Sequence, residues 1–387
     1  MPTRRFTLAG ALLLSLGLCF AGCLQQENIK VLRYDAKADR FEMLAVYEHF
    51  RSSDSGVVLV PEKAPDAAAA EKRMLEDAAK LRSIYDARDR LIPGWDILGV
   101  GLYPLTPDRK KFEGEGDPKP GRPAIAWDKV DIKPGRLFKD KDGFIGYWHE
   151  IGVPGAVVDQ MLARVRVEMS ADEDIRQGIA IEKKRRADAP QKPADWADIT
   201  AALKAHLLAE QAGKPEGADR QKDLGERLRA TLDSASLDRI LAALDRGDLG
   251  PTRVAGRLVL RVPLTRRDAD GIAGLVREVD RTVKSILDAK AEPAAGVIEF
   301  LAHARGPLSD HAALKADDAG LEISLDLVPL LNRFLADQRD TENRDFAKSA
   351  DAKTRASKMA QTVATWKDVE VVPGDAEKLI AEFRARK

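Results

Sequence analysis

Cysteine is almost missing from this chain. Of 387 residues only Cys19 and Cys23 carry a thiol, and none follows position 23. The long remainder therefore has no internal disulfide, no thiol nucleophile and no cysteine-based zinc or iron–sulfur centre. Net charge is missing as well: 63 Lys and Arg balance 63 Asp and Glu. A chain without a basic excess has no long-range field to gather nucleic acid or anionic substrates. Aromatic residues are sparse, at only 5%. Five histidines occur, His49, His149, His206, His303 and His311, and no two have the spacing of a helical zinc motif. There is no phosphate-binding Walker loop, no nucleophile elbow and no repeat of fixed period. Gly114-Glu115-Gly116 begins a dinucleotide-type GxG, but no third glycine follows at the required spacing.

What is present begins at the first residues. Arg4 and Arg5 form a positive region, Phe6 to Phe20 an uncharged Leu-rich run, and Ala21-Gly22 lead into Cys23. A run of about 15 apolar residues is shorter than the roughly 20 needed to span a bilayer, so a secretory signal is expected rather than a membrane span. The block Phe20-Ala21-Gly22-Cys23 resembles the signal of bacterial lipoproteins, in which a small residue precedes a cysteine that becomes the lipidated first residue. Phe20 departs from the Leu usual at the first position. An ordinary signal cut near Ala21 and an uncleaved anchor are the other readings. Thr3-Arg4-Arg5 is similar to a twin-arginine signal, but Thr7 stands where that motif wants an apolar residue, so general secretion is the default. The resemblance implies lipidation of Cys23. In a Gram-negative host, Leu24 in place of an Asp after the cysteine implies the outer membrane, facing the periplasm.

Removing residues 1–22 takes away Arg4 and Arg5 and no acid, leaving 61 basic against 63 acidic residues, a net of −2. Charged residues at 33% exceed the usual quarter, which predicts well-solvated helices with many surface ion pairs. The 365 residues after position 22 suffice for more than one core.

The patterning predicts an α+β fold. After a tether at 23–28, an α+β domain is expected over 29–169, a helical segment or insertion over 170–249 and a second α+β domain over 250–387. Alternation in Ile29–Tyr34 and Phe41–Phe50 predicts a hairpin, and Val57–Val60 a third strand. Met74, Ala78, Leu81, Tyr85 and Arg88 recur at helical spacing. Strands are expected at Ile97–Leu102 and in a hairpin about Lys139-Asp140-Lys141-Asp142-Gly143, then a helix from Pro154. Between 170 and 249 only helical periodicity appears, with Ser170 and Glu173 as a capping box and Asp195 as another cap. Proline-bearing linkers cut this segment near 187–195 and 212–220. Strands return at Arg257–Val262, Val297–Phe300 and Leu314–Leu325. Between them Thr265 and Asp268 cap a helix whose stripe is Ile272, Val276, Val279, Val283 and Ile286. Helices over 328–337 and 346–365, a strand at Val369–Val372 and a last helix from Asp375 complete the reading.

No constellation of catalytic type stands out. Tyr147 and His149 can share one face of a strand, with Trp148 and Glu150 on the other. Asp140-Lys141-Asp142-Gly143 resembles part of a calcium loop, but Phe138 and His149 fall where its first and last acidic ligands belong, so a turn is expected. The Lys183–Arg186 run ends a helix, where cations meet the negative end of the dipole, and Asp317-Asp318 sits in a turn. No catalytic residue, cofactor or metal ligand is expected, and Cys23 is the one modification site. The expected function is a non-catalytic binding or scaffolding lipoprotein of the envelope. Its partners are the membrane, through the lipid anchor, and other envelope proteins, with no nucleic acid. The alternatives are a metal-independent hydrolase using paired carboxylates and a solute-binding lipoprotein.

With no thiol after Cys23, the melting temperature of the monomer should be the same with and without dithiothreitol. A reductant-dependent fall in a thermal scan would contradict the cysteine argument.

Overall fold

The fold is described from a computed structural model, over residues 24–52, 67–88, 90–93, 102–113, 115, 121–188, 195–211, 225–228, 230–288, 312–334, 337–339 and 352–386. Cys23 and the expected strands Val57–Val60 and Val297–Phe300 lie outside them. In chain order the elements are β1 (Leu24–Asp35), β2 (Arg40–Ser52), α1 (Ala67–Asp86), β3 (Leu91–Pro93), β4 (Leu102–Pro104), β5 (Asp131–Ile132), β6 (Arg136–Lys139), β7 (Ile145–Pro154) and α2 (Gly155–Ser170). There follow α3 (Glu173–Asp188), α4 (Trp196–Gln211), α5 (Ser234–Arg246), β8 (Gly250–Val254), β9 (Arg257–Val262), α6 (Arg266–Asp288), β10 (Ala312–Asp317) and β11 (Gly320–Asp326). Finally come β12 (Asp337–Arg339), α7 (Ala352–Ala364), β13 (Val371–Pro373) and α8 (Ala376–Arg384). The architecture is α+β.

The chain forms two compact units, one of residues 1–117, 125–157 and 335–387, the other of 118–124 and 158–334. This differs from the division at 169 and 249. The C-terminal segment belongs with the N-terminal hairpin, because β12 pairs with β1 and β13 with β6. The segment 170–249 is helical among its described residues, as its periodicity predicts, but it shares a unit with the sheet that follows it.

The first unit is built on a seven-stranded sheet ordered β12-β1-β2-β7-β6-β13, with β5 also on β7. Strand alternation sends successive residues to opposite faces, and here both faces are covered. Ala45, Tyr47, Leu137, Ile145 and Tyr147 pack with Ala78, Leu81 and Tyr85 of α1 and Met359, Ala360 and Val363 of α7. Ile29, Val31, Leu44, Val46 and Phe138 pack with Ala376, Ile380 and Phe383 of α8. Each fully buried Leu, Ile, Val or Phe contributes about 1.5–3 kcal/mol relative to exposure. β1 already begins at Leu24, within the stretch read as a tether.

In the second unit, β10-β11-β9-β8 form an antiparallel sheet. Leu321, Val262, Ile323 and Ala316 on one face pack with Leu264, Ala269, Ile272 and Ala273 at the start of α6. Further along α6, Val279 and Ile286 pack on Leu207 of α4. Ser170 does not cap α3; it closes α2 by donating to the Arg166 carbonyl (2.8 Å), and Asp172 takes the cap, accepting from the Asp174 amide (2.9 Å). The capping box of α6 is opened to a neighbouring helix. Thr265 Oγ1 accepts from the Asp268 amide at 3.4 Å, but the Asp268 carboxylate turns away from the box. It accepts from Trp196 Nε1 on α4 (3.1 Å), from Ser236 Oγ on α5 (2.6 Å) and from the Asp233 amide that starts α5 (2.7 Å).

Asp268 is wholly buried and joins three helices. Its removal strands several buried donors, so Asp268→Ala should cost about 3 kcal/mol, read as a lower midpoint in urea unfolding. A loss below about 1 kcal/mol would show that the helices are held by apolar packing alone.

Candidate functional site

The most unusual polar arrangement lies where β1 and β2 lose their register. Pairing runs regularly from Asp35↔Arg40 to Glu27↔Glu48, then resumes at Gln25↔Arg51, so β2 carries one extra residue. Such a bulge re-aims side chains and is over-represented near functional sites. His49 sits in it with φ 52°, a left-handed conformation that costs a non-glycine residue roughly 1 kcal/mol or more. Its ring is bracketed by acids from two other elements. Nδ1 stands 3.1 Å from Glu27 Oε2 on β1, and Nε2 stands 3.7 Å from Asp140 Oδ2 in the β6–β7 turn. Phe144 packs edge-on against the imidazole, with centroids 4.7 Å apart.

Asp140 is itself held in place. Its Oδ1 accepts from the amides of Asp142 (2.9 Å) and Phe144 (2.8 Å), which fixes the turn in which Gly143 takes φ 93°. The resemblance to a calcium loop thus ends as a hairpin turn. No group of three or more His, Cys, Asp or Glu among the described residues is placed to hold a metal ion.

The charges at this site are displaced from ordinary values. Burial disfavours the His49 imidazolium, but contact with Asp140 and Glu27 and the charges of Glu27 and Glu48 outweigh it and push its pKa up to about 9. Glu48 moves the other way for a carboxyl: burial raises it to about 7 despite the attraction of His49, with Glu27, Asp140 and Glu377 adding repulsion. Burial acts against the Asp140 carboxylate too, but contact with His49 and the two backbone amides holds its pKa below the usual range. At neutral pH His49 is therefore a fixed cation rather than a base. Glu48 and Asp140 are carboxyls whose affinities for a proton are driven apart, as an acid–base pair requires. However, one oxygen of Asp140 accepts two amides and the other faces His49, which leaves it committed to structure.

The residues singled out in the sequence fall elsewhere. Tyr147 and His149 do share a face, with ring centroids 5.6 Å apart, while Trp148 packs in the α8-side core. His149 is fully buried beside Tyr47 and Tyr147, and neither of its ring nitrogens has a hydrogen-bond partner among the described residues. Glu150, on the opposite face, is clamped by Lys133 and by Arg386, whose Nη1 donates to Oε2 at 2.7 Å. The Lys183–Arg186 run does close α3, with Lys183 on Asp238 and both Arg185 and Arg186 on Glu182. Asp317 accepts from the Ala319 amide (2.9 Å) in the β10–β11 turn. His206 is buried in α4. His303, His311, Gly114 and Gly116 lie outside the described residues. The sequence reading passed over Glu27, Glu48 and His49, because a bulge leaves no mark on the alternation of a single strand.

No family model, no curated protein and no solved structure matches this chain.

Burial alone lowers the pKa of His149 to about 4. The folded state then binds fewer protons than the unfolded state, whose histidine titrates near 6.5. Stability contributed by neutral His149 is complete above pH 6.5 and falls as pH drops toward 4, by about 3 kcal/mol. His149→Leu should flatten that part of the stability–pH curve. An unchanged acid limb in the variant would show that other groups control it.

Proposed function

We propose that this chain is an exported, lipid-anchored envelope protein whose folded part binds or scaffolds other envelope components. The observation that carries the reading is the junction at Cys23. A positive, then apolar, then small-residue stretch ends on that cysteine, and the first strand of the seven-stranded sheet begins at the next residue, Leu24. An acylated Cys23 would therefore fix the edge of a rigid sheet at the membrane surface, with the covalent chain as its only spacer. Two or more acyl signals are needed for stable anchoring, and the lipoprotein modification supplies them. No helix among the described residues is long and apolar enough to cross a membrane.

A binding role is favoured over catalysis by the state of the polar groups. His49 is cationic at neutral pH and held between carboxylates, so it is a poor general base, and His149 is sealed in the core. The hydrolase alternative needs a pair of available carboxyls, and of the two at this site Asp140 is held by two backbone amides and His49. The solute-binding alternative rests on repeated parallel β-α-β units. Among the described strands one pairing is parallel, β6 with β13, and the others are antiparallel.

Cys23→Ser should move the protein from the membrane fraction to the soluble envelope fraction, or leave an uncleaved precursor. Unchanged processing and fractionation would sink the anchor reading.

A further inference from the structure

The same junction gives the bracket about His49 a mechanical role. Beyond the bulge, β1 continues as Leu24 and Gln25, which pair with Ser52 and Arg51 of β2. On the other edge of β1, the described part of β12 pairs with Ile29 to Val31. Leu24 and Gln25 thus lie past a point where the β1–β2 ladder is broken. The polar tie at that point is the ion bridge Glu27–His49–Asp140, which joins β1, β2 and the β6–β7 turn.

The turn lies at the same end of the sheet as Leu24. β7 runs antiparallel to β2, with Tyr147 opposite Tyr47, so the strand begins near the level of His49.

We propose that the Glu27–His49–Asp140 bridge is a latch that sets whether residues 24–26, which lie past the bulge, form part of the sheet or part of the leader to Cys23. With the latch closed, strand structure starts at Leu24. With it open, these residues are released, each able to span up to about 3.3 Å, and the reach from Cys23 grows by roughly 10 Å. The latch stands on the ion bridge and the bulge; its consequence for a lipid anchor rests on the function proposed above. The charged groups acting on His49 are Glu27 from β1, Glu48 from β2 and Asp140 from the turn, with Glu377 of α8 acting on Glu48. The cationic histidine favours closure against both acids, so its contribution to closure is complete below about pH 6.5 and is lost as pH rises from there through about 9.

Amide hydrogen exchange on the full chain, extracted in detergent and also as the Cys23→Ser protein, reads the latch directly. At pH 7, Glu27→Gln and Asp140→Asn should each speed exchange in a peptide covering residues 24–31 by about fivefold. Exchange in the β7 peptide, residues 145–154, should stay unchanged. Asn at 140 keeps the oxygen that accepts the two turn amides, so the turn itself survives. Unchanged exchange at 24–31, or an equal rise in both peptides, would overturn the latch. Should a variant fail to fold, the wild-type chain decides: protection at 24–31, corrected for the intrinsic rate, should fall between about pH 6.5 and about 9. A flat profile there would overturn the latch as well. Because the Cys23→Ser chain carries no acyl group, a negative result in it condemns the latch and leaves the anchor untouched. Unchanged fractionation of that chain condemns the anchor and leaves the latch.

Discussion

The constraint on which the first unit depends is that its central sheet buries both faces. A sheet with one wet face tolerates a polar residue at every second position, whereas one buried on both sides does not. β7 shows the consequence: apart from Trp148 and Pro154, which are partly exposed, its residues from Ile145 to Val153 are buried, including His149 and Glu150. Each polar member has to be met locally or left neutral. Glu150 keeps its charge because Lys133 and Arg386 converge on it. His149 is kept neutral by burial among tyrosines. The two residues are adjacent in sequence and opposite in fate because the pleat sends them to different layers.

The second unit depends on a different device. Its sheet meets helices on the face of Leu321 and Ile323, and the joint among those helices is polar. Asp268 accepts from α4, α5 and the residue that opens α5. A buried carboxylate met by this many donors is held in place by them, and its loss would strand them together. Arg267 adds a contact from its exposed side (3.0 Å) and also donates to the Thr231 carbonyl (2.8 Å). The N-terminal end of α6 therefore fixes both the sheet below it and the helices beside it.

Much of this organisation was legible in the residues. The first hairpin, the stripe of α1, the β9 strand, the cap at Thr265, the turn at Asp317 and the last helix after Asp375 all follow from local periodicity and capping chemistry. The interactions that join distant segments were not. The return of residues 335–387 to the first sheet depends on pairings of only three residues each, Ile29–Val31 with Asp337–Arg339 and Leu137–Lys139 with Val371–Pro373. The strand at Val371–Pro373 was expected, over Val369–Val372, but its partner was not, and the polar triplet Asp337–Arg339 carries no strand pattern. Helix was expected over 328–337, but a single helical turn and a π turn occupy 327–334 before β12. Likewise, Ser170 looked like a helix start, yet its hydroxyl bonds backward by four residues, an option open to any serine near a helix end. The site about His49 was invisible for the same reason as the sheet closure. Glu27, His49 and Asp140 lie far apart in sequence, and the bulge that aims the histidine is a property of two strands together.

The return of the last segment has a consequence for the order in which the chain can become structured. The second unit is nearly contiguous, residues 158–334 with a short addition at 118–124, so most of its contacts are available before the C-terminal residues exist. The first unit cannot be completed until residues 335–387 have arrived, since β12, α7, β13 and α8 all come from there. Contacts that close so large a loop form slowly. During synthesis, β1 and β2 would wait with one sheet face without its C-terminal helix α8 and the other covered by α1 but not α7, while the middle of the chain folds ahead of them. Late closure keeps the N-terminal strands incompletely covered for longest, and it makes exposed edges in that interval the point at which misassembly competes with folding.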